Sequence, residues 1–449
     1  MTINPNIFKA YDIRGVYPDE INEEVAYRVG RAIVVFTGAK TVVVGRDCRK
    51  SSEIFFKALE RGITNEGADV IDIGLVSSPL FYFSVGDYDL HDAGIMITAS
   101  HNPKQYNGLK LVRGNALPIG GVSGMDEIKR LVLENKWENK PVGNTVKTEV
   151  LDDYIQKVLG LVGVSKIKKL KVTVDAGNGM GGISLKKLAK YLPVKIISLY
   201  FEPDGNFPNH EANPTKPENL RDLQKAVLKE KANFGAALDG DGDRIAVIDE
   251  NSEVVRGDFL VAILAQIMLK KYPGAKILYD VRCSNVVPET IRKFGGVPEM
   301  TPVGHAPIKN IMAKGDAVFG GELSNHFYFR DFYFAESPDL CLLLLLKYLA
   351  DENKKMSEAI RDLKKYFHSG EINFEVKNKE GIIKKIKEKY FKNAKKITEI
   401  DGLRLDFDDW WFNVRPSNTE PLLRLNLEAK TEESMLEKKE ELERLIKEF

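Results

Sequence analysis

Cysteine is scarce in this chain. Its three residues, Cys48, Cys283 and Cys341, are too few and too scattered for a disulfide framework and read as reduced thiols of a cytosolic protein. Charge of one sign is missing too. Lys and Arg number 66 against 65 Asp and Glu, a net charge of +1, which argues against a wholesale role on nucleic acid or on a membrane surface. Long apolar runs are also absent. The longest, Leu340 to Leu346, is far too short to span a bilayer and reads as part of a buried helix. The N-terminal MTINPNIFKAYDIRG has no apolar signal core, so a cytoplasmic location is expected. No low-complexity segment interrupts the chain.

What is present is enough ordinary globular sequence for several cores. With 43% hydrophobic and 29% charged residues over 449 positions, three or four domains of roughly 100–200 residues are expected. Three segments look alike: TVVVGRD at 41–47, KVTVD at 171–175 and KILYD at 276–280. Each is an apolar or β-branched run ending in aspartate before a polar loop and a helix-like stretch, the signature of repeated βα units with substantially parallel sheets. In the first unit Ser51 or Ser52 would cap a helix whose apolar face holds Ile54, Phe55, Ala58, Leu59 and Ile63. Further strands are expected at 70–73, 94–97 and 245–249. Composition shifts at 136–148, 251–258 and 368–371 mark domain boundaries. The last segment reads as a smaller α+β unit: a basic helix over 382–396, strands near 403–407, 410–414 and 422–427, and a charged terminal helix.

Four loops carry chemistry. In LDGDGDRI, Asp239, Asp241 and Asp243 alternate with glycine directly after an apolar run. Such close carboxylates repel unless a hard cation neutralises them, and Mg²⁺, which takes oxygen ligands while leaving room for water and phosphate, suits a short glycine-interrupted loop. The ligand span of an EF-hand is absent, and a solvated turn between strands also fits these residues. In TASHNP at 98–103, Ser100 follows an apolar strand, so its hydroxyl would be exposed at a strand end, needing a neighbouring base, metal or helix terminus to react. His101 would polarise or orient a phosphoserine there; an ordinary turn is the other reading. RPSNTEP at 415–421 joins the planar guanidinium of Arg415 to Ser417, Asn418 and Thr419, a set suited to a phosphate that is not transferred, or to an Asx-type hairpin turn. In GGELSNH at 320–326, Glu322 can accept hydrogen bonds from neighbouring sugar hydroxyls and Ser324 adds a smaller polar contact, or the segment is a surface turn. His305, after Gly304, is either a proton-transfer group or the start of a helix.

Together these residues resemble the α-D-phosphohexomutase superfamily, closest to its phosphomannomutase/phosphoglucomutase branch. TASHNP, DGDGDR, GELSNH and RPSNTEP occur in the family's order, supported by KAYDIRG at 9–15, GRDCR at 45–49, YNGLK at 106–110 and PDGNFPNHEANP at 203–214. The resemblance spans essentially the whole chain. It implies an α/β protein of four domains around a central cleft, three of related mixed α/β fold and a smaller α+β C-terminal domain, here divided as 1–150, 151–253, 254–368 and 369–449. It implies a phosphoserine at Ser100, Mg²⁺ held by Asp239, Asp241, Asp243 and Ser100, and Arg244 in support. Tyr11, Arg14, Lys110, His101 and His305 would line the reacting end. Glu322, Ser324, His326 and Arg282 would contact the sugar or its charge, and Arg415, Ser417, Asn418 and Thr419 the distal phosphate.

Three positions depart from the family pattern. Where many relatives read GEMSGH this chain has GELSNH: Leu323 is a conservative change, whereas Asn325 replaces a glycine, which bears on the loop's geometry and on the reach of His326. Arg282 stands where relatives often carry lysine, and a permanently protonated guanidinium binds charge rather than moving a proton. The implied reaction is reversible exchange between hexose 1-phosphate and hexose 6-phosphate through a hexose 1,6-bisphosphate, which also serves as activator. HFYFRDF and SGEIN, at 326–332 and 369–373, lean towards mannose phosphates by resemblance, glucose phosphates being a second use. The implied partners are small hexose phosphates, with neither nucleic acid nor membrane, for a monomer or homodimer. Phosphoglucosamine mutase, a metal-dependent sugar phosphatase and a non-catalytic sugar-phosphate binder are the competing readings.

Overall fold

The computed structural model of the protein describes residues 3–138, 140–163, 167, 170–417 and 422–448. The three look-alike segments become the central strands of three sheets. Thr41–Arg46 lies in parallel between Ala93–Ile97 and Asp69–Leu75, Lys171–Asp175 between Phe234–Leu238 and Lys195–Leu199, and Lys276–Asp280 between Phe319–Gly321 and Val297–Thr301. Val42, Val43 and Val44 are fully buried, as strands covered on both faces require.

The sheets are mixed rather than substantially parallel, because each trio returns through one hairpin. Ala93–Ile97 pairs antiparallel with Tyr106–Arg113, Phe234–Leu238 with Ile245–Asp249, and Phe319–Gly321 with Phe327–Phe329. The joining loops, 98–105, 239–244 and 322–326, are too short for the crossover of a dozen or more residues that a parallel connection needs. Those loops are the three chemical motifs. Ile13–Val16 and Thr145–Lys147 complete the edges of the first sheet, the latter inside the polar stretch read as a boundary.

The fourth sheet is antiparallel throughout, in the order Phe367–Glu375, Leu422–Ala429, Trp410–Pro416, Leu403–Asp406 and Lys396–Thr398. The helix expected over 382–396 spans Lys379–Tyr390 instead. A short 3-10 turn at Phe391–Asn393 ends it, and Lys396–Thr398 forms the edge strand with Ile397 against the core.

Helix Ser52–Asn65 forms as the periodicity predicts, burying Phe55, Ala58, Leu59 and Ile63, but Ile54 is 40% exposed. Neither serine caps it through its side chain. Ser51 Oγ accepts from Asn107 Nδ2 at 2.8 Å and Ser52 Oγ donates to Asp47 Oδ1 at 2.6 Å. The run Leu340–Leu346 lies in helix Pro338–Glu352, which joins Ser78–Asp87, Leu151–Val162 and Gly257–Lys271 in one apolar interior shared by the first three sheets. The fourth sheet has a separate core. Among the described residues no helix is long and apolar enough to cross a membrane.

Helix Ser52–Asn65 crosses helix Glu23–Thr37 at Gly62, where an added Cβ would lie 2.1 Å from Tyr27 O, whereas a Cβ on exposed Gly160 of helix Leu151–Val162 meets nothing within 4 Å. Gly62→Ala is expected to cost about 2 kcal/mol through overpacking. Gly160→Ala should gain about 0.5–1 kcal/mol through helix propensity. Denaturant melts of the two variants beside the parent check both signs.

Candidate active site

The hairpin loops of the first two sheets meet face to face. Ser100 has φ +50°, a conformation that a non-glycine residue adopts at a cost of about 1–2 kcal/mol, and its N–H donates to Thr98 Oγ1 at 2.8 Å. Its Oγ donates to Asp239 Oδ2 at 2.9 Å and lies 3.1 Å from His101 Nδ1. Ser100 was expected to be exposed, but it is only 3% exposed because the second sheet's loop covers it. That approach needs glycine at 240, where a Cβ would stand 2.5 Å from Ser100 O.

One ligand atom from each of Asp239, Asp241 and Asp243 can be chosen so that all lie within 4.8 Å of one another. The backbone orients the first: Asp239 Oδ1 accepts from Asp243 N at 2.9 Å and Arg244 N at 3.1 Å. Lys110 Nζ lies 2.6 Å from both Asp241 Oδ2 and Asp243 Oδ2, and Ser78 Oγ donates to Asp241 Oδ2 at 2.6 Å. Even so, among the described residues Asp241 Oδ1 and Asp243 Oδ1 are buried without a hydrogen-bond partner. Burial, with repulsion from Asp243 and Asp241, pushes the Asp239 carboxyl well above the carboxylate range. Asp243 goes the other way: burial opposes its charge, but Lys110 and His326 outweigh burial and hold it low. An all-oxygen donor set with orphaned carboxylate oxygens and one carboxyl driven towards protonation is short of positive charge, and fits a hard divalent cation.

Burial, then Arg244 and Arg14, drive His101 well below its usual pKa, so its imidazole is neutral. Arg14 Nη1 donates to Asn102 Oδ1 at 2.6 Å, and its other terminal nitrogen pairs with Asp12. Tyr11 donates its hydroxyl to Val303 O at 3.0 Å and meets the His305 ring edge-on. His305 opens helix His305–Lys314 and is likewise held neutral, by burial and then by Lys309 and Lys110, and its Nδ1 is buried without a hydrogen-bond partner among the described residues.

The third sheet's loop closes the ring. Glu322, 1% exposed, accepts from Gly304 N at 2.7 Å through Oε1 and from Tyr328 Oη at 2.6 Å through Oε2. Asn325 has φ +68°, the left-handed region that glycine enters freely and asparagine tolerates best among the rest, so its replacement of glycine keeps the loop's shape. His326 Nδ1 lies 3.1 Å from Glu322 Oε2 and its Nε2 3.5 Å from Asp243 Oδ1. Burial and Arg244 oppose its protonation, but those two carboxylates prevail and raise it to about 9. Arg244 Nε is 3.1 Å from His326 Nε2 and 3.8 Å from Asp239 Oδ2.

From here a chain of polar contacts leads to the fourth sheet. Ser324 Oγ is 3.2 Å from His326 Nδ1 and 3.3 Å from Arg282 Nη2, and Arg282 is paired to Asp280 at 2.8 Å. Buried Arg282 stays protonated, since Asp280 overrides desolvation. Its Nη1 reaches Glu371 at 3.5 Å, and Glu371 in turn binds Arg415 at 3.1 Å and Arg424 at 3.1 Å. Ser417 N donates to Leu422 O at 2.8 Å across the hairpin. Asn418 and Thr419 lie outside the described residues. The other sequence-nominated residues therefore fall into one continuous constellation.

Sequence reasoning assigned no role to Arg49, yet its buried guanidinium holds the Ser100 loop. It donates to the carbonyls of Ser100 at 2.9 Å, Asn102 at 2.7 Å, Pro103 at 2.7 Å and Tyr106 at 3.0 Å, braced by Asp47 at 3.1 Å. Its signal was present in GRDCR, where an Arg stands two residues after the Asp that ends the central strand; Arg282 stands identically after Asp280. Ser78, Glu371 and Arg424 were also missed as contributors, since each acts through partners distant in sequence.

Consecutive stretches of the chain match four family models: "Phosphoglucomutase/phosphomannomutase, alpha/beta/alpha domain I" over residues 5–139, domain II over 152–253, domain III over 256–366, and "C-terminal domain" over 371–445. A phosphomannomutase of Methanocaldococcus jannaschii is 44% identical over 448 residues, covering 98% of this chain and 97% of its own. A crystal structure of a phosphoglucomutase/phosphomannomutase family protein from Burkholderia thailandensis superposes with TM-score 0.91 at 33% identity, over 99% of this chain and 98% of that one. Aspergillus fumigatus N-acetylphosphoglucosamine mutase, solved in complex with GlcNAc-6P and magnesium, shares the fold at TM-score 0.66 and 15% identity, over 98% and 95% of the two chains.

Because Arg49 fixes the loop and touches none of the reacting groups, Arg49→Lys is expected to misplace Ser100. The kcat for phosphoryl transfer should fall about 10²-fold with little change in KM. Steady-state kinetics with a melting curve separates that loss from unfolding.

Proposed function

The chain belongs to the phosphoglucomutase/phosphomannomutase family, and from that premise we propose that it interconverts hexose 1-phosphates and hexose 6-phosphates, preferring mannose phosphates. The observation that carries this reading is the Ser100 hydroxyl 2.9 Å from Asp239 of the buried carboxylate triad, two groups 139 residues apart in sequence. We assign the site to domains divided at about residues 150, 253 and 368, matching the shifts in composition.

In this reading Ser100 carries the phosphoryl group and passes it to the sugar hydroxyl presented to it. Mg²⁺ held by Asp239, Asp241, Asp243 and Ser100 would supply charge neutralisation at that group. Lys110, Arg244 and Arg14 surround the same end with fixed positive charge, as a transition state spread over phosphoryl oxygens requires. Neutral His305, with Nδ1 unengaged, takes the proton of the attacking hydroxyl, and neutral His101 orients Ser100. Glu322, Ser324 and His326 hold the sugar ring hydroxyls. Arg282, Arg415, Ser417, Asn418 and Thr419 hold the phosphate that is not in transfer. After the first transfer the hexose 1,6-bisphosphate turns round, and its other phosphate returns to Ser100. A bisphosphate lost before turning leaves the serine bare, so added bisphosphate acts as activator.

The testing experiment is a coupled assay with mannose 1-phosphate, Mg²⁺ and catalytic glucose 1,6-bisphosphate. Wild type should form mannose 6-phosphate, and Ser100→Ala should lower the rate at least about 10³-fold. Sustained release of inorganic phosphate without isomerisation would establish a phosphatase instead, and faster turnover of glucosamine 6-phosphate would shift the substrate assignment. Chelation with EDTA should abolish turnover and excess Mg²⁺ should restore it. Asp241→Asn, which weakens the donor set, should raise the Mg²⁺ concentration needed for half-maximal rate at least about tenfold.

A further inference from the structure

The basic pocket of the fourth sheet already holds an anion of its own. Arg415 and Arg424 face each other directly across the antiparallel pair Trp410–Pro416 and Leu422–Ala429, an arrangement that is unfavourable for like charges unless an anion lies between them. Glu371, from strand Phe367–Glu375, supplies it: Oε2 is 3.1 Å from Arg415 Nη2 and Oε1 is 3.1 Å from Arg424 Nη1. The same carboxylate reaches Arg282 of the third sheet at 3.5 Å. Three guanidiniums from two domains thus converge on one carboxylate, in the place and with the geometry suited to a phosphate.

Two observations set Glu371 apart from a permanent structural partner. Its side chain is 24% exposed while that of Arg415 is 2% exposed, so the acid has room to withdraw and the base does not. Arg415 Nε is buried with no hydrogen-bond partner among the described residues, a bare donor that the carboxylate does not satisfy. The other nearby acid, Asp401, is engaged by Val303 N at 3.0 Å and stands 4.0 Å from Arg415.

We propose that Glu371 is a displaceable internal counter-ion that occupies the distal-phosphate pocket between substrate molecules and returns to it as the phosphate leaves. The inference rests on the mutase reading above, and it gives that reading a device for release. A bisphosphate that must turn round needs its outer phosphate freed, and the convergence of Arg415 and Arg424 with Arg282, itself paired to Asp280, would hold a dianion strongly in the absence of Glu371. A carboxylate waiting beside them lowers the affinity and neutralises the arginines when the phosphate departs. Glu371 is in this sense a positioning residue, acting through Arg282, Arg415 and Arg424. The three arginines hold its charged form in place against the effect of burial.

The test compares Ser100→Ala with Ser100→Ala/Glu371→Gln by calorimetric titration of inorganic phosphate and of mannose 6-phosphate. The isosteric amide removes the competing charge, so both ligands should bind at least about tenfold tighter. In the Ser100 background, Glu371→Gln should lower KM and kcat together, because release is slowed. Equal or weaker binding would overturn the proposal, and weaker binding is what a merely structural role in aligning the arginines predicts. If the amide variant folds poorly, Glu371→Asp, which withdraws the carboxylate by one methylene, should shift affinity in the same direction by a smaller factor, and an unchanged affinity there also overturns it. Tighter phosphate binding by a protein whose wild type shows no isomerisation would support the pocket and sink the mutase reading. Isomerisation with unaltered affinity would do the reverse.

Discussion

Everything in the cleft depends on compensating buried negative charge. Three aspartates whose chosen ligand atoms lie within 4.8 Å would expel one another from an unassisted loop. Here Lys110 reaches them from the first sheet, His326 from the third, and Arg244 from the turn itself, and among the described residues Asp241 Oδ1 and Asp243 Oδ1 still remain without a hydrogen bond. Because Lys110 and His326 come from the first and third domains, that compensation is complete only where the first three sheets meet.

That docking uses one design three times. Each related sheet puts a motif in the hairpin that follows the outer parallel strand, so TASHNP, DGDGDR and GELSNH occupy equivalent turns. The aspartate at the end of each central strand accepts from the backbone two residues on: Asp47 from Arg49 N at 3.0 Å, Asp175 from Gly177 N at 2.8 Å and Asp280 from Arg282 N at 2.7 Å. In the first and third sheets that second residue is an arginine whose guanidinium binds the same aspartate and then braces or contacts the motif loop. The repeat in sequence is thus a repeat in how a loop is held.

The fourth domain is joined by different means. Its core is separate, and it meets the third domain through buried polar contacts: Arg404 lies over the Trp411 ring at 3.7 Å and donates to Val281 O at 2.7 Å, Cys283 O at 3.3 Å and Asn285 Oδ1 at 2.8 Å. Glu428 accepts from Asn285 N at 3.0 Å and Trp411 Nε1 at 2.8 Å. A directional polar joint defines the angle between the domains, and so it defines where Arg415 stands relative to Arg282.

The chain by itself determined the local elements and the chemical vocabulary. Apolar runs ending in aspartate read as strands, Leu340 to Leu346 as part of a buried helix, and alternating Asp and Gly as a cation loop or a solvated turn, because these follow from periodicity, burial and charge over a few residues. Tertiary structure decided the rest. The sheets turned out mixed because loops of hairpin length cannot cross over, Ile54 faces solvent because the helix packs through Phe55, Leu59 and Gly62, and Ser100 is buried because Gly240 lets a second domain close over it. The parts played by Arg49 and Glu371 were invisible in sequence for the same reason. Each acts on atoms that come near only after folding, and no local pattern encodes which carbonyl or guanidinium will arrive.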